Sequence, residues 1–457
     1  MPVWPKRPKK IKETVPDAFV LVSFAVLPDG YTREGRHCAE LVRSMTACGA
    51  VDAVGLNCVS APGAMRALVQ QLGETKLPLA VMPNAGYPVV TRTRVQYQGK
   101  PEYFARELAR LAAEGVRILG GCCGTTPAHI AALRAALDAL PETLPAAPAA
   151  AVSTAAKPEV EKDDAFLRKL NAGKKVIAIE LDSPKDADLT GYLDGARRLQ
   201  AAGADLLTIA DCPIARARMD SSLVACRVHR ELGLNVLPHM TCRDRNLNAT
   251  KALLLGLYAE GVREVLAITG DPIPTAERDE VKNVYQFNSR KLAQYIVSLA
   301  GEGREMPSPL TVFGALNLNA RNFDVELRRA QEKLQNGMSG FLTQPMLSAQ
   351  AVVNLKKTRE TLGEKAKILA GIMPVVSQRN AIFMENEVNG IHVDAEIIER
   401  FAGLDRAQGE ELGLEVSVKA AQAAAPYADG FYLMTPFNRI ALMERLIARL
   451  KDEGIAD

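Results

Sequence analysis

Short apolar runs alternate with longer amphipathic stretches along nearly the whole chain, the pattern of βα units feeding a parallel sheet. From residue 165 onward, eight runs have strand character: VIAIEL (176–181), DLLTIAD (205–211), NVLPHMT (235–241), EVLAITG (264–270), TVFGALN (311–317), GFLTQP (340–345), KILAGIMP (367–374) and GFYLMTP (430–436). Helix-like segments separate them, such as DLTGYLDGARRLQAAG and FDVELRRAQEKLQNG, the second closing on a glycine suited to a helix C-cap. Most strand starts recur about every 30 residues, and eight repeats in about 290 residues match one (β/α)8 barrel. An open, doubly wound sheet is the competing arrangement. Before residue 141 the same grammar gives four strands: AFVLVSF (18–24), DAVGLNC (52–58), PLAVMPNAG (78–86) and VRILGGCCG (116–124). Four βα units are half a barrel. The expected fold class is α/β, with a four-strand half-barrel over residues 17–140 and a complete (β/α)8 TIM barrel over 165–457.

Composition refines this picture at three places. The stretch PETLPAAPAAAVSTAAKPEVEKDD (141–164) is rich in alanine, proline and charge and poor in large apolar residues, so it reads as a linker. KRPKKIK (6–12) precedes any apolar pattern and reads, within residues 1–16, as a solvated basic tail. Eight scattered cysteines do not make a secreted disulfide framework, which points to a reducing, cytoplasmic setting. An apolar fraction of 48% and a net charge of +3 describe an ordinary globular protein with neither nucleic acid nor a membrane as partner. No apolar run approaches the roughly 18 residues of a membrane span, and the first residues lack a signal-peptide core. The opening MPVWPKRPKK carries no strand signal, so a start inside a longer reading frame is expected. A half-barrel exposes two sheet edges, which favours a homo-oligomer or a partner that supplies the missing half.

Barrel enzymes place their chemistry at the C-terminal ends of their strands. In the first half those ends carry Cys58, in GLNC, and the adjacent pair Cys122–Cys123, in GGCCGTTP. Successive side chains of a strand face opposite ways, so the pair can converge only where the strand has ended, and the glycines around it permit that turn. Three thiolates and one open position describe a catalytic zinc site, in which a thiol substrate would be held as thiolate. Buried structural cysteines, or a vicinal disulfide, account for the same spacing. Cys38, Cys48, Cys212, Cys226 and Cys242 lack ligand spacing and read as packing. In the second half the strand ends give Glu180, His239, Asp271, Asn317, Asn319, Gln344 and Asn438-Arg439. Carboxylates from two strands facing one mouth suit acid–base work, and Glu180, after four apolar residues, is placed for a raised pKa. Taken singly, each acid also fits an ion pair or a helix cap. His239 has no second histidine at ligand spacing. No GxGxxG follows a strand, which argues against a Rossmann nucleotide domain.

GLNC, PNAG with its following tyrosine and proline, and GGCCGTTPAHI resemble the second half of the zinc-dependent homocysteine S-methyltransferases, over about residues 17 to 140. The resemblance implies that Cys58, Cys122 and Cys123 hold Zn2+ and that the metal activates homocysteine. The family's first four strands, with an Asp-Gly start motif and much of the homocysteine pocket, are not matched. IAIELDSP, LPHMTCRDRN, LAITGDPIP, NVYQFNS, ELRRAQEKLQNG, GFLTQP, GIMPV and FYLMTPFNR resemble methylenetetrahydrofolate reductase, in order, over about residues 165 to 450. That family is a (β/α)8 flavoprotein in which NADH or NADPH reduces FAD and the flavin reduces the folate's methylene carbon to methyl. By resemblance Glu180 is the general acid, Asp271 contacts the pterin and flavin region, and Gln344 contacts folate or nicotinamide. His239, Gly270, Asp271, Phe287, Asn288, Ser289, Glu326, Arg329 and Lys333 fall at or near FAD-contacting positions. The helical spacing of Glu326, Arg329 and Lys333 sets them on one face, where cations suit a pyrophosphate. Thr208-Ile209-Ala210-Asp211 replaces the Thr-Tyr of many reductases, and Thr269 replaces an arginine. Both departures match the branch in which methyltransferase and reductase are fused.

The expected activity is FAD-dependent, NAD(P)H-driven reduction of methylenetetrahydrofolate to methyltetrahydrofolate, fused to an incomplete zinc-dependent homocysteine S-methyltransferase that would make methionine. The alternative is a reductase alone, its N-terminal half-barrel a non-catalytic zinc-binding or interaction module.

Overall fold

The computed structural model describes residues 6–27, 30–32, 36–58, 61–72, 75–90, 95–97, 99–140, 164–273, 281–301 and 304–456. The expected linker lies outside these residues except for Asp164. The chain divides into two compact units, Met1–Pro158 and Glu159–Asp457. Among the described residues no helix is long and apolar enough to cross a membrane.

The first unit is built on strands β1 (Leu21–Phe24), β2 (Ala53–Asn57) and β3 (Leu79–Met82), a hairpin of β4 (Pro88–Val90) and β5 (Val95–Tyr97), and β6 (Ile118–Leu119). β1, β2, β3 and β6 form one parallel sheet in that order, and β4 and β5 pair antiparallel. The four expected strands are all present. Alternation decides which face is covered. Phe24, Val54, Leu56, Leu79 and Val81 pack with Cys38, Leu41, Met45, Met65 and Leu68 from the helices Cys38–Thr46 and Pro62–Leu72. Ser23, Gly55, Asn57 and Ala80 fall on the other parity, small or polar, with the Ser23 hydroxyl 2.8 Å from Asn57 Oδ1. The hairpin is an addition to the βα grammar, although its PVV and VQY segments are short β-branched or aromatic runs.

Within the basic stretch, Lys6–Thr14 form a largely exposed helix, and Lys12 Nζ lies 2.9 Å from Asp52. The Asp52 carboxylate also accepts the Val20 N–H at 2.6 Å. A partner forty residues away in sequence gives the cluster a place that local charge density does not reveal.

The second unit contains β7 (Val176–Glu180), β8 (Leu206–Ile209), β9 (Asn235–Thr241), β10 (Glu264–Ile268), β11 (Thr311–Leu316), β12 (Gly340–Pro345), β13 (Lys367–Ile372) and β14 (Gly430–Met434). Each pairs in parallel with its sequence neighbours, and β14 closes on β7 with Met434 opposite Glu180. Strand parity again sorts the side chains. Ile177, Ile179, Leu207, Ile209, Val236, Val265, Val312, Phe341, Ile368, Phe431 and Leu433 face outward to the helices. Val176, Ala178, Leu206, Leu237, Leu266, Phe313, Leu342, Leu369 and Tyr432 fill the lumen. One end of that lumen is plugged by the helix Ala165–Asn171, whose Phe166 and Leu170 join the inner cluster, with the Phe166 ring 6.3 Å from Phe313. Asp164 and Lys169 tie this helix to Asn235 and Asp205 at the starts of β9 and β8, both at 2.9 Å. The plug therefore occupies the N-terminal end, and the C-terminal mouth is the one left for chemistry.

Candidate functional site

Two groups of side chains gather at strand ends, one in each unit. In the first unit, Cys58 follows β2 and adopts φ +56°, a left-handed turn that takes its side chain off the strand. Its N–H donates to the Met82 carbonyl at 3.0 Å, and the Cys122 N–H donates to Pro83 at 2.8 Å, so both cysteine loops are laced to the end of β3. Cys58 Sγ lies 3.5 Å from Cys123 Sγ, Cys122 Sγ lies 4.0 Å from Cys123 Sγ, and all three lie within 4.8 Å of one another. The turn that brings them together needs glycine. At Gly124 (φ +78°) a Cβ would sit 2.2 Å from Tyr97 Cβ, and at Gly121 it would sit 2.3 Å from Thr125 Oγ1. Downstream, Thr126 caps the helix Pro127–Asp138, Pro127 takes its first turn, and His129 faces back on Thr126 with Nε2 2.9 Å from the Gly99 carbonyl. GTTPAHI is thus a turn-and-cap unit that holds the thiol pair in place. Tyr97, on β5, lies beside the sulfurs, and burial there pushes its phenol above the ordinary value. Cys38 and Cys242 are buried as packing residues, and burial raises the Cys242 thiol to about 12.

In the second unit, parity and register bring Glu180, Thr208, His239, Gln344 and Met434 to the upper lumen, above the apolar filling. Glu180 keeps 22% of its side chain exposed. Its Oε2 accepts a hydrogen bond from the Tyr432 hydroxyl, and His239 Nε2 lies 3.7 Å from the same oxygen. Burial lifts the Glu180 carboxyl to about 7; the Tyr432 hydrogen bond opposes that rise and the charge of Asp182 adds to it. Burial draws the His239 imidazole down to about 4, against the charge of Asp211. Near neutrality the pair is therefore a carboxyl close to half protonated beside an uncharged ring. Among the described residues His239 Nε2 and Thr208 Oγ1 are buried and have no hydrogen-bond partner.

A cavity of about 150 Å3 opens at this mouth, lined by Thr269, Ser289, Asn317, Glu326, Lys333 and Gln344, with apolar residues of β10 and β11. Lys333 is turned inward, donating to the Ala315 carbonyl at 2.6 Å with Glu326 3.8 Å away, and burial lowers its pKa against that carboxylate. Arg329 shares the helix Phe323–Gln335 and pairs with Glu326 at 3.6 Å, but its side chain is 62% exposed. The remaining expected residues lie outside the lining of this cavity. Phe287 stacks on Tyr295 within the outer core, at 5.3 Å between ring centroids. Asn288 caps the helix Ser289–Ser298. Gly270 has φ +92°, and a Cβ there would lie 2.9 Å from Thr241 Cβ. Asp271 is exposed, its Oδ2 accepting the Ile214 N–H at 2.8 Å. Asn319 bridges the Pro345 and Gly390 carbonyls, and Arg439 pairs with Glu410.

Sequence reasoning passed over the residues that tie this mouth together. Buried Arg243 donates to the carbonyls of Cys212 and Asp271 and to Asp244. Asp211 accepts from the Thr241 N–H, the Thr241 hydroxyl and Arg245. These contacts fix the loops after β8, β9 and β10 to one another, including the left-handed Cys212 and Ile214. Tyr432 was also passed over. Its signal was parity, since a tyrosine at the lumen position of an apolar strand needs a polar partner.

Known proteins resemble the two units separately. The family model described as homocysteine S-methyltransferase matches residues 7–137. The methionine synthase of Mycobacterium tuberculosis is 44% identical over 89 residues, 19% of this chain and 8% of that protein. The homocysteine S-methyltransferase of Escherichia coli is 35% identical over 122 residues, 26% of this chain and 39% of that protein. The chain thus spans well under half the length of these curated relatives. Among solved structures, an uncharacterized protein from Clostridium thermocellum that binds two copies of 5-methyl-5,6,7,8-tetrahydrofolic acid aligns at TM-score 0.45 and 13% identity, covering 63% of this chain and 98% of its own. That likeness is too slight to bear on function. The second unit is matched almost end to end, by the family model described as methylenetetrahydrofolate reductase over residues 165–451. With well over half of its length inside that match, the chain belongs to the methylenetetrahydrofolate reductase family.

Proposed function

We propose that the barrel reduces methylenetetrahydrofolate to methyltetrahydrofolate with FAD and NAD(P)H, and that the thiol group of the first unit holds zinc for methyl transfer to homocysteine. The observation that carries the first part is Glu180: a carboxyl in the lumen of a reductase-family barrel, raised to about 7 and hydrogen-bonded by Tyr432.

The residues at the mouth suit a flavin. The partnerless His239 Nε2 and Thr208 Oγ1 can each meet a polar ring atom, and Ser289, Asn317, Glu326, Lys333 and Gln344 add donors and acceptors around the cavity. His239, Ser289, Glu326 and Lys333 would hold it, with Gly270, Phe287, Asn288, Arg329 and Asp271 shaping the rim and its helix caps. Bound FAD would supply the hydride chemistry, taking it up from NAD(P)H and delivering it to the folate. Glu180 acts on the substrate. Its proton passes to a nitrogen of the folate's five-membered ring, the C–N bond breaks with its electron pair left on that nitrogen, and the methylene carbon becomes an electrophilic iminium. Gln344 orients the folate or nicotinamide by its amide. The sign of the pH dependence follows: the folate step needs protonated Glu180, so it is strong at pH 6 and falls as pH rises through about 7.

The sulfurs fit tetrahedral zinc. Thiolates at about 2.3 Å from zinc stand about 3.8 Å apart, between the two closest S···S distances of the trio. Zinc there would keep a substrate thiol deprotonated at neutral pH. Since this unit forms a four-strand sheet, we infer that methyl transfer requires four further βα units. Without them the unit is a metal-binding or interaction module.

The cofactor assignment is tested by titrating purified protein with FAD under anaerobic conditions and then adding NADH or NADPH. Saturable quenching of flavin fluorescence, followed by bleaching of the bound flavin, is expected. A folded protein that binds no FAD, or binds it and is not bleached by either nucleotide, overturns the assignment.

A further inference from the structure

Glu180 has two oxygens, and the structure treats them differently. Oε2 accepts the Tyr432 hydroxyl and has His239 Nε2 at 3.7 Å; Oε1 has no hydrogen-bond partner among the described residues. Tyr432 is 7% exposed, and the Glu180 carboxyl and the Thr208 hydroxyl are the polar groups beside its own hydroxyl. Burial, with Glu180 next to it, keeps the phenol far above its ordinary pKa, so it remains a donor. A carboxyl oxygen that accepts a hydrogen bond is the one that does not carry the proton.

We propose that Tyr432 is a positioning residue that fixes which oxygen of Glu180 is protonated, reserving Oε2 as acceptor and presenting the proton on Oε1 to the substrate. The inference rests on the acid role given to Glu180 above. It assigns to β14 a part in the proton transfer that β7 performs: the Oε1–H bond breaks, the proton goes to the substrate nitrogen, and the carboxylate left behind is stabilised through Oε2 by the Tyr432 hydroxyl. The other groups around the carboxyl are few. Thr208 stands opposite it on β8, His239 faces it from β9 with Asp211 behind, and Asp182 lies on its own loop, paired with Arg218 at 3.1 Å. None of these hydrogen-bonds Glu180. Removing the Tyr432 hydroxyl therefore removes the one bond, among the described residues, that favours the ionised form.

The test is an infrared titration of the carboxyl stretch in the full chain, with Glu180→Gln identifying the band, repeated on Tyr432→Phe. Loss of a hydrogen bond to a charged group corresponds to about one pH unit, so the Glu180 midpoint is expected to move up by about that amount. In the FAD-loaded protein, the alkaline limb of the folate-dependent step should move up with it while its plateau falls about tenfold. A midpoint and a limb that both stay put overturn the proposal. Should the phenylalanine variant not fold, protein labelled with 3-fluorotyrosine, a more acidic donor, must show the midpoint moving down; an unmoved midpoint again overturns it. If Glu180→Gln leaves the folate step intact, the acid role itself fails, an outcome distinct from an unshifted Tyr432→Phe profile.

Discussion

Glu180→Gln is expected to leave a protein whose bound flavin is still bleached by NADH or NADPH but is no longer recoloured by methylenetetrahydrofolate. Glutamine keeps the size and the hydrogen-bonding amide oxygen, so Tyr432 retains an acceptor and the lumen packing is preserved. What disappears is the transferable proton. General acid catalysis contributes about 10²–10⁴-fold, so the folate step should slow by at least a hundredfold. The nicotinamide step requires no proton from this residue and should change by less than about threefold on the scale of tenfold per 1.4 kcal/mol. Stopped-flow absorbance on each half-reaction separates the two. Equal losses in both would assign Glu180 to the frame of the barrel rather than to the chemistry.

The eight barrel strands are legible in the sequence because each is an apolar run bounded by turn residues, at a spacing only a βα repeat produces. Glu180 is legible for the same reason: the VIAI run announces burial, and the acid ends it. The partner of Glu180 is harder to read. Tyr432 lies 252 residues away and reaches it only because β14 closes on β7, which is a property of the closed ring and not of either strand. Arg243 and Asp211 are hidden similarly, since Arg243 ties loops from three strand ends and Asp211 ties loops from two. In the first unit the thiol trio is readable from GLNC and GGCC, whereas the β4–β5 hairpin that brings Tyr97 to Cys123 lies outside the βα grammar. The helix Lys6–Thr14 was obscured by its own charge, which Asp52 answers from the start of β2.

Replacement of any one of Cys58, Cys122 and Cys123 by serine is expected to abolish stoichiometric zinc. The intact trio should hold about one zinc per chain after dialysis against metal-free buffer. Zinc–thiolate sites of the structural kind are worth about 10–16 kcal/mol, so removing one thiolate of three should cost about 4 kcal/mol, roughly a thousandfold in affinity. Serine is nearly isosteric, and the cysteine loops are held to β3 by backbone hydrogen bonds, so the fold should survive the change. Atomic-absorption analysis reads the metal, and the rate of thiol alkylation reads the ligands: zinc should protect all three sulfurs in the parent and none in the variants. Retention of full zinc by all three variants would place the metal elsewhere.

The central claim is that the barrel is a methylenetetrahydrofolate reductase, and the most direct measurement is product formation. FAD-loaded protein supplied anaerobically with NADH or NADPH and methylenetetrahydrofolate should yield methyltetrahydrofolate in one-to-one ratio with nucleotide oxidised, fastest below pH 7 and declining above it. A folded, flavin-bound protein that oxidises the nucleotide and leaves the folate unchanged across that range would contradict the account.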